Sequence, residues 1–180
     1  MTDPYPPIAR WVIPDAARDA TLWGLRRAGE RGREGGALWL GDRASDARVL
    51  TVATAVGEGV TERPGSWSLS PGAYARIGEW AFTAGRVLLA LIHSHGGSGT
   101  LATSLSPTDA FSTVQVPDFL SIIVGRSGNE LDPIVWGYHV FEGARFRRLS
   151  GAEVTNRIVW VLATIEHLRF DANTVEAVSA

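Results

Sequence analysis

The spacing of apolar positions predicts that the first third of the chain forms a helix followed by a β-hairpin. From Asp15 to about Gly29, apolar residues recur at helical spacing, and Asp15 is expected to cap this helix. The pair Gly35–Gly36 then interrupts the pattern. Two apolar runs, 37–40 and 49–56, are separated by turn residues and predict the two strands of a hairpin.

The middle of the chain is predicted to contain a loop, a second helix and a buried strand. Residues 57–68 are polar and rich in glycine, which favours a loop, and Trp67 within it is expected to contact a partner. Ser70–Pro71 is typical of a helix start, and Gly85 of a helix end. The apolar side of this helix is expected to consist of Tyr74, Ile77, Gly78, Ala81 and Phe82. Residues 86–92 are mostly apolar and predict a buried strand.

The second half is predicted to begin with a flexible glycine loop at 96–99 and a short helix at Ser106–Pro107. Strands are predicted at residues 119–125, 134–141 and 146–149. Ser150 and Glu153 form the pattern of a capping box that opens a last helix. Its apolar stripe is expected to consist of Val154, Ile158, Val161, Leu162, Ile165 and Leu168. The tail after Asp171 is expected to be frayed.

Helices and strands interleave over the whole length, with no linker and no internal repeat, which predicts one α/β domain. This domain is expected to span residues 1–180, with a core at about 15–170. The composition agrees, because 45% hydrophobic and 20% charged residues in a chain of 180 are typical of a globular protein. A formal net charge of −2 argues against nucleic-acid binding.

No apolar run approaches the roughly 20 residues that span a bilayer, and the first residues lack the pattern of a signal peptide. A cytoplasmic protein without a membrane segment is therefore expected. The chain has no cysteine, so any metal ligands must come from histidine, aspartate and glutamate.

Two of the four histidines, His93 and His95, follow the buried strand at 86–92. Side chains two positions apart in a strand leave the same face about 6.6 Å apart, so two imidazoles can converge on one ion. Asp109, in the first turn of the following helix, can complete a three-ligand site with a fourth position open for water. Taken singly, each feature also fits an exposed strand end or a helix cap; their combination favours a metal site.

Two imidazoles and one carboxylate suit zinc, with iron as the chemical competitor. Iron sites of this kind usually pair histidine with an acid on the strand, so the His-x-His pair favours zinc. The remaining histidines, His139 and His167, lack ligand spacing and are expected to be structural or on the surface.

These residues resemble the JAMM motif of the JAB/MPN metalloprotease family, in which an upstream glutamate precedes His-Ser/Thr-His and Ser-x-x-Asp. The segment 34–41, Glu-Gly-Gly-Ala-Leu-Trp-Leu-Gly, is similar to the family's opening strand, and the resemblance covers about residues 15–150. It implies the MPN (cytidine-deaminase-like) fold, a curved mixed sheet flanked by helices. It also implies one zinc ion per chain, held by His93, His95 and Asp109.

In the same resemblance, Glu34 is the general base that accepts a proton from the attacking water and passes it to the leaving amine, and Ser106 stabilises the tetrahedral oxyanion. Two departures stand out. Gly96 replaces a common proline, and the ten-residue spacer 96–105 is longer than usual. A longer loop at the rim is expected to alter substrate access and to leave coordination intact, because loop insertion costs little.

The implied activity is that of a bacterial JAB-domain isopeptidase, similar to deubiquitinases, which cleaves after the C-terminus of a ubiquitin-like modifier. The modifier or its conjugate would be the substrate, and E1- and E2-like enzymes would be pathway partners. The sequence is also compatible with two alternatives. One is a catalytically silent MPN scaffold or binding module, and the other is a hydrolase of small peptides on the same fold.

Overall fold

A mixed β-sheet forms the centre of the structure, a computed structural model that describes residues 5–178. The ends of the predicted domain, residues 1–4 and 179–180, lie outside the described residues. The helices are α1 (Asp15–Gly29), α2 (Pro71–Thr83), α3 (Gly99–Ala102), α4 (Pro107–Ser112) and α5 (Gly151–Arg157). The strands are β1 (Arg10–Pro14), β2 (Gly36–Asp42), β3 (Asp46–Ala55), β4 (Val60–Arg63), β5 (Ser66–Leu69), β6 (Val87–Ser94), β7 (Leu120–Val124), β8 (Gly137–Glu142), β9 (Arg145–Arg148), β10 (Ile158–Val161), β11 (Glu166–Phe170) and β12 (Val175–Ala177).

Eight strands of the sheet follow the order β10-β1-β3-β2-β6-β7-β8-β9. The long strand β3 has β2 on one side and, on the other, first β1 and then β11, which also pairs with β12. β2 runs antiparallel to both of its neighbours, whereas β6 and β7 run parallel. This curled mixed sheet with flanking helices confirms the predicted fold class.

The two faces of the sheet pack into two apolar cores, because successive side chains of a strand point to opposite faces. On β2, Trp39 belongs to the core that contains Leu25 of α1. Its neighbour Leu38 belongs to the core that contains Ile77 of α2. One helix therefore covers each face of the strand that leads into the predicted site.

Most of the predicted helices and strands are confirmed. α1, α2 and α4 occupy the predicted segments, as do β2, β3 and the strands from β6 to β9. Ser70 and Ser106 are the N-caps of α2 and α4, and each hydroxyl accepts a hydrogen bond from a backbone N–H in the first turn. At α1 the N-cap is Pro14, and Asp15 occupies the first turn instead of the cap.

The predicted last helix is wrong beyond its first two turns. α5 begins at the expected capping box but ends at Arg157, and the next residues form β10, parallel to β1. The β-branched residues of 158–161 favour a strand, and the pairing with β1 gives them a sheet edge to join. Leu162, expected in the apolar stripe, is 96% exposed. His167 lies in β11 and not on a helix.

Two predictions of irregular structure and one residue assigned to the apolar side of α2 are also wrong. Residues 57–68 contain the β4–β5 hairpin, with Gly65 at a φ of +72° in its turn, a conformation that glycine adopts without strain. The tail after Asp171 forms β12, which pairs with β11. On α2, Phe82 is 88% exposed, because the buried side consists of Ala73, Ile77 and Ala81.

Among residues 5–178, no helix is both long enough and apolar enough to cross a membrane.

The strand assignment of β10 can be tested with two substitutions. Ile158→Ala should lower the free energy of unfolding by about 2–5 kcal/mol, because Ile158 is buried against the sheet. Leu162→Ala should change it by less than about 0.5 kcal/mol, because the side chain is exposed. Urea unfolding measures both values. Equal losses at the two positions would support the helix that the sequence predicted and contradict the strand.

Candidate metal centre

The candidate centre lies where β2 and β6 run side by side in opposite directions. Gly36 of β2 pairs with His93 of β6. Just beyond, the N–H of Ser94 donates to the carbonyl of Gly35, and the N–H of Gly35 donates to Ser94 Oγ, both at 3.0 Å. The two segments are therefore held together one residue before the start of β2.

Continuing this register by one more residue places Glu34 opposite His95. The backbone of Glu34 is fixed from the other side, because its N–H donates to the carbonyl of Arg63 at 3.1 Å. The residue as a whole is only 8% exposed. The bonds between residues 35 and 94 thus bring the predicted base near a predicted metal ligand, and the charges of His95 and Asp109 act on Glu34.

The imidazoles of His93 and His95 and the carboxylate of Asp109 converge. The two Nε2 atoms are 3.1 Å apart, Nε2 of His93 is 3.5 Å from Asp109 Oδ1, and Nε2 of His95 is 3.5 Å from Asp109 Oδ2. Ligand atoms about 2.0–2.1 Å from a tetrahedral zinc ion lie about 3.3 Å from one another. The donor set and its spacing therefore fit zinc, and these three residues form a group that could hold a metal ion.

His95 is oriented by a main-chain oxygen. Its Nδ1 lies 3.0 Å from the carbonyl oxygen of Ala102, at the end of α3. A carbonyl accepts hydrogen bonds and cannot donate them, so neutral His95 carries its proton on Nδ1 and keeps the Nε2 lone pair free. This is the arrangement that metal-binding histidines commonly use.

His93 is buried and lies parallel to an aromatic ring. The indole of Trp67 stacks on it at 6.3 Å between ring centroids and 12° between planes. Burial lowers the pKa of His93, which favours the neutral ring that a metal requires. Trp67, expected to contact a partner, is instead 7% exposed and packs inside the protein. Gly36 permits this packing, since a Cβ there would lie 2.2 Å from the indole.

Asp109 is held by the first turn of α4. Its Oδ2 accepts a hydrogen bond from the N–H of Ser106 at 3.0 Å, and its N–H donates to Ser106 Oγ at 3.1 Å. This reciprocal capping box fixes the carboxylate at the helix start, as the Ser-x-x-Asp pattern predicts. Ser106 therefore has a structural task already, and its role toward an oxyanion stays a prediction.

Opposed electrostatic effects act on the two acids. Burial raises the pKa of Asp109, but the neighbouring imidazoles of His93 and His95 and the hydrogen bond from Ser106 outweigh it and hold that pKa far below its usual range. Burial also raises the pKa of Glu34; His95 opposes this rise, and the negative charge of Asp109 adds to it. Asp109 therefore stays ionised as a ligand, while Glu34 has the higher proton affinity that suits a base.

Two contributions to this centre were missed by reading the sequence. Ser94 lies between the two histidines, so strand alternation points it away from them, and its hydroxyl accepts a hydrogen bond from the N–H of Gly35, the residue after Glu34. The carbonyl of Ala102 lies in the spacer 96–105, which was expected to be a loop at the rim that alters substrate access. The alternation around Ser94 was a usable signal, whereas no side-chain pattern marks a main-chain oxygen.

Comparison with known proteins supports the fold. No protein-family profile and no curated protein sequence matches the chain. Its structure is similar to the solution structure of protein DSY2949 from Desulfitobacterium hafniense, with a TM-score of 0.60, 16% identity, and coverage of 85% of this chain and 94% of that one. It also aligns with AF2198, a JAB1/MPN domain protein from Archaeoglobus fulgidus, with a TM-score of 0.42, 14% identity, and coverage of 82% and 98%.

The two remaining histidines are not part of the group of converging ligands. Nε2 of His167 is 2.9 Å from Thr54 Oγ1, between neighbouring strands. His139 is buried in β8. Burial, together with the positive charge of Arg148, lowers the pKa of His139 to about 4.

Because His139 is buried, we expect the free energy of unfolding to fall at acidic pH. Because its folded pKa of about 4 lies below the ordinary value of 6.5, the fold favours the neutral ring. His139 therefore contributes up to about 3 kcal/mol to the free energy of unfolding above about pH 6.5, and this contribution is lost as the pH falls toward 4. The difference in unfolding free energy between wild type and His139→Gln, measured in urea, should shrink over this range. A pH-independent difference would contradict the assignment.

Proposed function

We propose that this chain is a zinc-dependent peptidase of the JAB/MPN (JAMM) type, cleaving after the C-terminus of a ubiquitin-like modifier. One observation carries the proposal. Two imidazole nitrogens and a carboxylate converge at separations of 3.1–3.5 Å, beside a buried glutamate. The same residues form the motif by which the sequence resembles the JAB/MPN family. Only this resemblance supports a ubiquitin-like modifier as the substrate.

Each residue of the centre has a proposed task. His93, His95 and Asp109 hold the zinc ion. When bound, zinc lowers the pKa of a coordinated water to about 7 and polarises a carbonyl group. Glu34 accepts the proton of the attacking water and then delivers it to the leaving amine. Ser106 stabilises the developing oxyanion with its hydroxyl proton, since Oγ uses a lone pair to accept from Asp109.

The proposed substrate would reach the centre as an extended chain. The β4–β5 hairpin lies next to His93, because Trp67 of β5 stacks on that ring. The hairpin forms a sheet of two strands within residues 5–178, so neither strand is paired on both edges. A modifier tail could add to one of these edges through backbone hydrogen bonds. E1- and E2-like enzymes are proposed as partners of the same pathway.

The proposed roles of Glu34 as the base and His95 as a zinc ligand can be separated by substitution. Glu34→Ala should keep one zinc per chain but lower turnover by about 10²–10⁴-fold, because it removes the base and leaves the ligands. His95→Ala should lose both zinc and turnover. Glu30→Ala is the matched control, since Glu30 is exposed at the end of α1. Elemental analysis and a cleavage assay give the two readouts, and full activity of the Glu34 variant would reassign the base.

The substrate class can be tested by comparing the cleavage of two substrates. The protein should cleave a ubiquitin-like protein fused through its C-terminus to a reporter, and should leave a short peptide with the same tail sequence nearly uncut. Cleavage of the peptides alone would contradict the modifier hypothesis and support a small-peptide hydrolase. Stoichiometric zinc with no cleavage of either substrate would support a silent scaffold.

A further inference from the structure

The long spacer between His95 and α4 is folded into a turn that contacts His95. Its helix α3 ends at Ala102, whose carbonyl oxygen is 3.0 Å from Nδ1 of that histidine. This contact holds the proton of the neutral ring on Nδ1. The free lone pair then lies on Nε2, which faces His93 and Asp109. The position of the turn therefore determines which nitrogen of His95 can bind a metal.

Arg148, at the end of the edge strand β9, holds this turn. Its Nη1 donates to the carbonyl oxygens of Thr100 and Thr103, each at 3.2 Å, and its Nη2 donates to Thr103 Oγ1 at 2.9 Å. A single planar guanidinium thus joins the start of the turn to its end. Lysine has one nitrogen and cannot reproduce this fork of donors.

The turn also lies close to the sheet at a backbone position. A Cβ at Gly137 of β8 would be only 1.9 Å from the carbonyl oxygen of Thr103. The absence of a side chain at Gly137 therefore lets the turn sit directly against the sheet. Arg148, on the neighbouring strand β9, is then within reach of the same carbonyl.

The charge of Arg148 has no carboxylate partner within residues 5–178. Its neighbour Arg147, in contrast, pairs with both Glu142 and Glu153. Arg148 instead directs its charged donors at two carbonyls and a hydroxyl of the spacer. Charged donors form stronger hydrogen bonds than neutral ones, so the guanidinium is well suited to fixing main-chain oxygens.

We propose that Arg148 is a positioning residue for the metal centre. By holding the turn formed by α3, it keeps the Ala102 carbonyl against Nδ1 of His95 and so presents Nε2 to the metal. This inference rests on the proposed zinc function for its consequence and on the observed hydrogen bonds for its geometry. It also gives the spacer 96–105 a role in orienting a metal ligand, in addition to the expected effect on substrate access.

The test compares Arg148→Met with Arg145→Met, a matched control on the same strand whose side chain is exposed. Competition with a chromophoric chelator measures zinc affinity, and Arg148→Met should weaken it roughly tenfold, as changes behind a metal ligand typically do. The control should stay within about twofold of wild type.

A second readout needs no metal. Nitrogen-15 NMR of the metal-free protein at alkaline pH, where a free imidazole is neutral, reports the tautomer of His95. Wild type and the Arg145 variant should show the Nδ1–H form, whereas Arg148→Met should show a mixture with Nε2–H. If Arg148→Met fails to fold, Thr103→Val removes one of the three hydrogen bonds and is measured in the same way. Arg148→Lys should fall between wild type and Arg148→Met.

An unchanged tautomer together with wild-type zinc affinity in the Arg148 variants would overturn the inference, even if their melting temperature fell. The two proposals can fail separately. If wild type binds no zinc but the tautomer of His95 still changes in Arg148→Met, the proposed function fails and the positioning role stands.

Discussion

The antiparallel pairing of β2 with β6 is the constraint on which the candidate centre depends. Gly36 pairs with His93, and the hydrogen bonds between residues 35 and 94 carry the register forward until Glu34 faces His95. A slip of one residue would turn both histidines to the opposite face of the sheet. The buried cores on both faces of β2 favour that register, so packing far from the centre helps to decide which residues face each other there.

The rest of the centre adds fixed donors and acceptors to this pair of strands. The capping box of α4 brings Asp109 to the histidines, and the spacer turn supplies the oxygen that orients His95. Packing of Trp67 on His93 keeps one side of that ring dry. Burial raises the pKa of both acids, but at Asp109 the neighbouring imidazoles and Ser106 outweigh it, whereas at Glu34 burial prevails.

The sequence was sufficient for the parts of the structure that depend on local pattern. The apolar strand before His93 and the Ser-x-x-Asp cap both occur as predicted, because periodicity and capping are local properties. Residues 158–168 were misread, because apolar positions there also fit a helical stripe and only the pairing with β1 and β3 selects strands. Pairing with other strands therefore outweighs the local helical pattern of residues 158–168.

The same limit applies to the candidate site. His93, His95 and Asp109 could be grouped from residue type and spacing, and the structure brings them together. The carbonyl of Ala102 and the hydrogen bonds of Arg148 could not be anticipated, because main-chain oxygens leave no mark in a residue pattern. Trp67 was placed in a loop because its polar, glycine-rich surroundings hide a two-stranded hairpin.

The proposed function requires that His93, His95 and Asp109 bind one zinc ion. Zinc X-ray absorption spectroscopy of the purified protein tests it most directly, because it reports the number and type of ligands. We expect one zinc per chain with four nitrogen or oxygen ligands at about 2.0–2.1 Å, two of them imidazoles. A protein that takes up no zinc, or a zinc site without two imidazoles, would contradict it.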